Sequence, residues 1–151
     1  MAKDIIVIAS ALKDLYEKIY EESDDLTEMK MHKLLYFAQK AHYRNFGKWL
    51  FDDDFEGWVH GPVNRKVREY FCFLPDNYEI TPEEEYTLRE TIFDYGQYSA
   101  GALRNLSHLD SCYKISREGL DPNERGNTII AKENIIRDIA SENDDNVFEV
   151  E

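Results

Sequence analysis

The four histidines, His32, His42, His60 and His108, are the first places where metal or acid–base chemistry could reside. None falls in the HExxH pattern that sets two imidazoles on one helix face. Glu56 and His60 stand four apart across Trp58 and could share one face of a strand, a spacing open to a metal pair or to plain hydrogen bonding. Asp52-Asp53-Asp54 invites a calcium loop. Counted from each aspartate, however, position twelve is Val63, Asn64 or Arg65, where an EF-hand requires glutamate. Cys72 and Cys112 form no CxxC pair and sit in no nucleophile signature. The 7 glycines build none of the loops that cradle phosphate. Carboxylate pairs are so frequent in this acidic chain that they identify no acid–base couple. The residues point away from catalysis, and no metal or cofactor is expected.

Recognition is the other chemistry on offer. The chain holds 10 Tyr, 8 Phe and 2 Trp. Tyr36 and Tyr43 lie seven apart, with Lys33, Lys40, Arg44 and Lys48 near them and Arg65, Lys66 and Arg68 further along. A basic, aromatic surface could stack RNA bases or grip a protein, since Tyr, Trp and Arg dominate interface hot spots. Tyr36 and Trp58 could equally be core residues whose polar tips are satisfied inside. The candidate partner contacts are Tyr43, His60, Asn64, Arg65 and Arg68.

Charge narrows the choice. The 151 residues carry 31 acidic against 18 basic side chains, a net charge of −13, concentrated in residues 76–151 with 18 acids against 7 bases. Such a chain is repelled by phosphate backbones, which disfavours nucleic acid as a partner and favours a basic protein. Solubility alone would also account for the charge. The longest apolar run, Ile5–Leu12, falls short of the roughly 18 residues of a membrane span. No signal peptide or disulfide framework is evident, and the expectation is a soluble cytoplasmic protein without a membrane partner.

The elements that must position these residues are mostly helical. Ile5, Ile8, Ala9, Leu12, Tyr16 and Ile19 mark a first amphipathic helix running to about Glu22, broken by the polar stretch Glu21–Asp25. A second starts at Thr27 as N-cap, with Leu26 and Met31 spaced as a hydrophobic staple. It buries Met31, Leu34, Leu35, Ala38 and His42 and stops at Gly47. Leu50-Phe51 and Phe55–Val59 read as a hairpin across the aspartates, and Gly61-Pro62 ends it and opens a third helix. Thr81 and Glu84 form a capping box. Ser99–His108 is helical with Leu103 and Leu106 inward, Tyr113–Arg117 is a short helix, and Thr128–Ile130 a short strand before a last helix with Ile135, Ile136 and Ile139 inward. The expected fold is mainly α, a compact single-domain helical bundle with a small hairpin between the second and third helices. It spans residues 1–140, and 141–151 form an acidic flexible tail.

The run Lys33, Leu34, Leu35, Tyr36, Phe37, Ala38, Gln39, followed by Gly47, Leu50, Phe51, Phe55, Glu56, Trp58, Gly61, Pro62 and Val63, resembles the signature of the Panacea (SocA-like) antitoxin domain family. Weaker similarity runs through Leu103–His108 to the last helix. The resemblance, which extends to phage-associated relatives, implies a helical, non-enzymatic module that neutralises a cognate toxin by direct binding. Members are usually encoded beside the toxin gene. In at least one branch the implied mechanism is instead an adaptor that delivers the toxin to an ATP-dependent protease. A small metal-dependent enzyme built on Glu56 and His60 is the remaining alternative. The signature reads as scaffold: Trp58 is expected to fill the space between the second helix and the hairpin. Gly57 stands where the family usually has alanine and is expected to loosen its strand, and no appended DNA-binding domain is evident.

Overall fold

A computed structural model describes residues 2–21 and 25–150, with only the backbone described over 143–150. Helix α1 (Ile5–Ile19) opens on Asp4, whose carboxylate accepts from the Ile6 N–H, and buries Ile5, Ile8, Leu12, Leu15 and Tyr16. The expected end near Glu22 lies outside the described residues. Helix α2 (Glu28–Phe46) is capped by the Thr27 hydroxyl, which accepts from the Lys30 N–H, and closed by Gly47 at φ 67°, a left-handed stop that glycine adopts without a Cβ penalty. Five further helices follow: α3 (Arg65–Tyr70), α4 (Pro82–Tyr95), α5 (Ala100–Ser107), α6 (Ser111–Ser116) and α7 (Lys132–Val150). The capping box at Thr81 and Glu84 is formed, with each side chain bonded to the other's backbone N–H.

The expected stripe on α2 is buried, but so is everything around it. Residues Lys30 to His42 are all buried, because α1, α4, α5 and α7 pack around this helix. One hydrophobic cluster links α1, α2, α4, α5, α6 and α7 through Leu12, Leu35, Leu88, Leu103, Cys112 and Ile139. Lys33 and Lys40 are thereby core residues rather than parts of a basic surface, at 1% and 3% exposure. Leu103 is buried as expected, whereas Leu106 and Ile136 are each 37% exposed.

The hairpin lies between α2 and α3, in a shifted register. Its strands are β1 (Glu56–Trp58) and β2 (Gly61–Val63), antiparallel with Gly57 opposite Pro62. Leu50 and Phe51 are not its first strand, because the Gln39 side chain satisfies their backbone: its amide donates to the Phe51 carbonyl at 2.8 Å, and its oxygen accepts from the Leu50 N–H at 2.8 Å. Gly61-Pro62 belongs to β2 rather than to a helix start; on this edge strand proline's missing N–H is tolerated. Helix entry falls to Asn64, whose side-chain oxygen accepts from the Val67 N–H. Thr128–Ile130 does run beside β1, with the Gly57 N–H donating to the Thr128 carbonyl and the Ile130 N–H to the Phe55 carbonyl. The backbone of α7 continues helical through the segment expected as a tail. Glu142, its last residue with a described side chain, binds Lys40 and Arg44 at 2.8 and 2.6 Å.

Gly57 does not simply loosen the strand. A Cβ built there would sit 2.0 Å from Ser116 Oγ and 3.0 Å from Ser116 Cβ, so the glycine makes room for α6. Ser116 is held in place by donating to the Tyr113 carbonyl at 2.6 Å. Gly57→Ala is expected to cost about 1–3 kcal/mol by overpacking. Combined with Ser116→Gly it should recover at least about 1 kcal/mol of that as coupling in a urea-denaturation double-mutant cycle. Strict additivity would show that the clash is not the cause.

Candidate partner-binding cleft

Three of the sequence-selected partner residues, His60, Arg65 and Arg68, converge on one open cleft of about 1160 Å³. Its walls are the first turns of α2, the β1–β2 hairpin, the start of α3 and the loop 123–127. The hairpin projects Trp58 and His60, and Asn64 turns the chain so that α3 presents Arg65 and Arg68 one helical turn apart. Arg117 builds the far wall: its guanidinium donates to the Asp121 and Glu124 carbonyls and holds the loop that carries Arg125. The hairpin tip is fixed from beneath by the Tyr113 hydroxyl, which donates to the Trp58 carbonyl.

Trp58 is half-buried in this wall rather than filling the core. The Arg65 and Arg68 guanidinium carbons lie 5.6 and 5.3 Å from its ring centroid, and its indole N–H donates to Glu56 at 2.9 Å. Glu56 also accepts from Arg65 Nε at 2.7 Å, and Glu28 accepts from Arg68 at 3.2 Å. Both Glu56 oxygens are therefore engaged, Oε1 by the indole and Oε2 by the guanidinium.

The floor is more unusual. His32 is 2% exposed and accepts the Asn64 N–H at Nδ1 (3.2 Å), which places its proton on Nε2, the atom facing Glu28 at 3.1 Å. Burial, with help from the Lys33 and Arg68 charges, pushes its pKa down to about 4, so the ring is neutral at physiological pH. Beside it, Lys33 Nζ has one hydrogen bond among the described residues, to the Pro62 carbonyl at 3.2 Å, and burial reinforced by Arg104 pushes its pKa down to about 8. Gly61 allows this approach: its φ of +110° favours glycine, and a Cβ there would lie 2.7 Å from Lys33 Cε. Arg104 Nε and His108 Nε2 are buried without a hydrogen-bond partner among the described residues. Burial first, then Arg104 and Lys33, hold the His108 pKa near 4.

The other selected residues lie elsewhere. Tyr43 sits three turns further along α2, about 16 Å from His32 by helical rise, half-buried against Trp49 at 4.5 Å. Asn64 is 5% exposed, and its side-chain oxygen caps α3. Of the signature, Leu34, Leu35, Tyr36, Phe51 and Phe55 are core, and Gly47 is the stop of α2. Sequence reasoning missed Glu28, His32 and Arg125 in the cleft; only their proximity in the fold connects them.

A second cluster, Asp110, Cys112 and Asp138, brings its ligand-type atoms within 4.8 Å of one another. It is already occupied by the protein's own donors. Asp110 accepts from the Tyr36 hydroxyl at 2.6 Å and from Lys40 at 2.9 Å, while Asp138 accepts from the Cys112 N–H. Burial pushes the Cys112 thiol up to about 12. The cluster ties α2, α6 and α7 together.

None of the described helices is long and apolar enough to cross a membrane. No curated protein and no solved structure matches the chain. The family model for the SocA-like antitoxin, Panacea domain matches residues 31–114. That span begins inside α2, ends inside α6 and takes in the hairpin and most of the cleft. On that match the chain belongs to the SocA-like Panacea antitoxin domain family.

Proposed function

We propose that this protein is a non-catalytic antitoxin that holds a cognate toxin inactive in a direct complex. The carrying observation is the family match over residues 31–114, in which the recognisable side chains are consumed by the fold. Leu34, Leu35, Tyr36 and Phe51 are fully buried, and Gln39 is spent on backbone. A motif used up in scaffold leaves recognition to the outer surface, which suits a domain that faces different partners. The acidic half of the chain, including Glu83, Glu85, Glu90 and Asp94 on α4, favours a partner with a basic body.

The test is co-expression with the product of the adjacent reading frame. Growth arrest by that product alone, reversal by this chain, and recovery of both proteins as one complex are expected. A neighbour that is harmless, or that stays toxic beside this protein, overturns the proposal.

A further inference from the structure

Within a chain of net charge −13, the cleft concentrates the opposite sign. Arg65, Arg68 and Arg125 stand on its walls and Lys33 lies at its floor, against the carboxylates of Glu28 in the lining and Glu56 beside Arg65. The other two buried lysines of α2 differ from Lys33 in one respect. Lys30 binds the Tyr16 hydroxyl and the Gly96 carbonyl at 2.7 Å each, with Asp25 at 3.4 Å, and Lys40 binds Asp110 and Glu142. Among the described residues Lys33 bonds a backbone carbonyl and no carboxylate, and burial with the neighbouring like charge of Arg104 outweighs Glu28's opposing charge. A buried ammonium in that state has donors and charge to offer an incoming anion. Arg65 and Arg68 each give one N–H to a carboxylate and keep further donors of the guanidinium fork.

We propose that this cleft receives an acidic peptide segment of the bound partner, whose carboxylates meet Arg65, Arg68, Arg125 and Lys33 while apolar side chains between them rest on Met29 and Val63. The proposal rests on the antitoxin reading and adds where, and by what chemistry, the partner is engaged. Three observations favour a peptide over a nucleic acid. The body of the chain repels a polyanion, whereas isolated carboxylates on a basic partner are not excluded. Two guanidiniums already lie over the Trp58 ring, where a base would have to stack. Apolar surface from Met29, Val59 and Val63 shares the lining with the cations, which matches a chain of mixed side chains better than a phosphate backbone. An acidic body with a basic cleft also fixes how a partner of opposite pattern must dock, because any other register sets like charges together.

The test uses the full chain and three fluorescent probes: a twelve-residue peptide of alternating Glu and Leu, its Gln and Leu counterpart, and an eight-nucleotide oligouridine. Anisotropy titrations are run at two salt concentrations, and the Trp58 indole N–H is followed by NMR. The acidic peptide is expected to bind and to shift the indole resonance. Arg65→Gln with Arg68→Gln should weaken it at least tenfold at unchanged melting temperature, and the amide peptide should bind at least tenfold more weakly. Equal binding of the two peptides, no shift at Trp58, or tighter binding of the oligouridine through the same arginines would overturn the proposal. The same double variant, co-expressed with the toxin, separates the two readings. Full neutralisation by it, where the parent neutralises, removes the cleft and leaves the antitoxin. Failure of the parent itself removes the antitoxin reading, while the peptide titration still decides whether the cleft binds acidic chains.

Discussion

Gln39→Leu is expected to lower the unfolding free energy by about 3–5 kcal/mol, although leucine nearly matches the volume of the side chain it replaces. Gln39 is 2% exposed, and its amide group replaces a strand for the Leu50-Phe51 segment. It donates to the Phe51 carbonyl at 2.8 Å and accepts from the Leu50 and Phe51 N–H groups at 2.8 and 3.3 Å. Leu50 and Phe51 are fully buried, so water cannot readily replace those partners. Leucine leaves two donors and one acceptor without the amide, each costing about 1–3 kcal/mol when unsatisfied. Cavity formation contributes little, which separates this loss from an ordinary core truncation. Urea denaturation at 25 °C measures it directly. A loss below about 1 kcal/mol would mean that the segment finds other partners and that Gln39 is not what holds it. The same substitution should loosen the hairpin, because only residues 52–55 separate this segment from β1.

Gln39 also shows where sequence reading stops. Alternation and turn residues place a hairpin between α2 and α3, and one forms there. The same pattern cannot show that a glutamine eleven and twelve positions earlier has taken the backbone bonds of Leu50 and Phe51, so the strands lie further along than expected. Local signals were legible where their partners are local: Thr27, Gly47 and the Thr81–Glu84 box all act within one turn. The burial of Lys30, Lys33 and Lys40 was not legible. Helical periodicity identifies an apolar stripe, and nothing in residues 28–46 reveals that four other helices close over the polar faces. Trp58 was misplaced for a related reason, since the guanidiniums that cover its ring come from another element. Of the cleft, the sequence marked His60, Arg65 and Arg68 by type. Glu28, His32 and Arg125 join them only through tertiary packing.

The lysines of α2 should respond in opposite directions to one substitution. Lys40→Met is expected to destabilise by about 2–3 kcal/mol. Although burial alone would lower its pKa, Asp110 and Glu142 raise it, so the ammonium is compensated and both acids depend on it. The acids are themselves partly exposed, which keeps the loss below that of a fully buried pair. Lys33→Met should instead stabilise by about 1–3 kcal/mol, because it removes a buried charge that no carboxylate bonds among the described residues and that Glu28 offsets only in part. The pH dependence fixes the sign. The folded pKa of Lys33 lies near 8 against 10.5 for the free side chain, so between these values the unfolded chain holds a proton that the folded chain has released. The burden is complete below pH 8, amounts to roughly 3 kcal/mol, and is relieved as the pH climbs to 10.5. The stability gap between Lys33→Met and the parent, measured by urea denaturation, should therefore close across that window, while the gap for Lys40→Met should not. If Lys33→Met destabilises as Lys40→Met does, the ammonium is already compensated inside the fold and has no charge to spare for a ligand. A stabilised variant that binds the acidic peptide less tightly would show the reverse: the cation is kept against the interest of the fold because the cleft uses it.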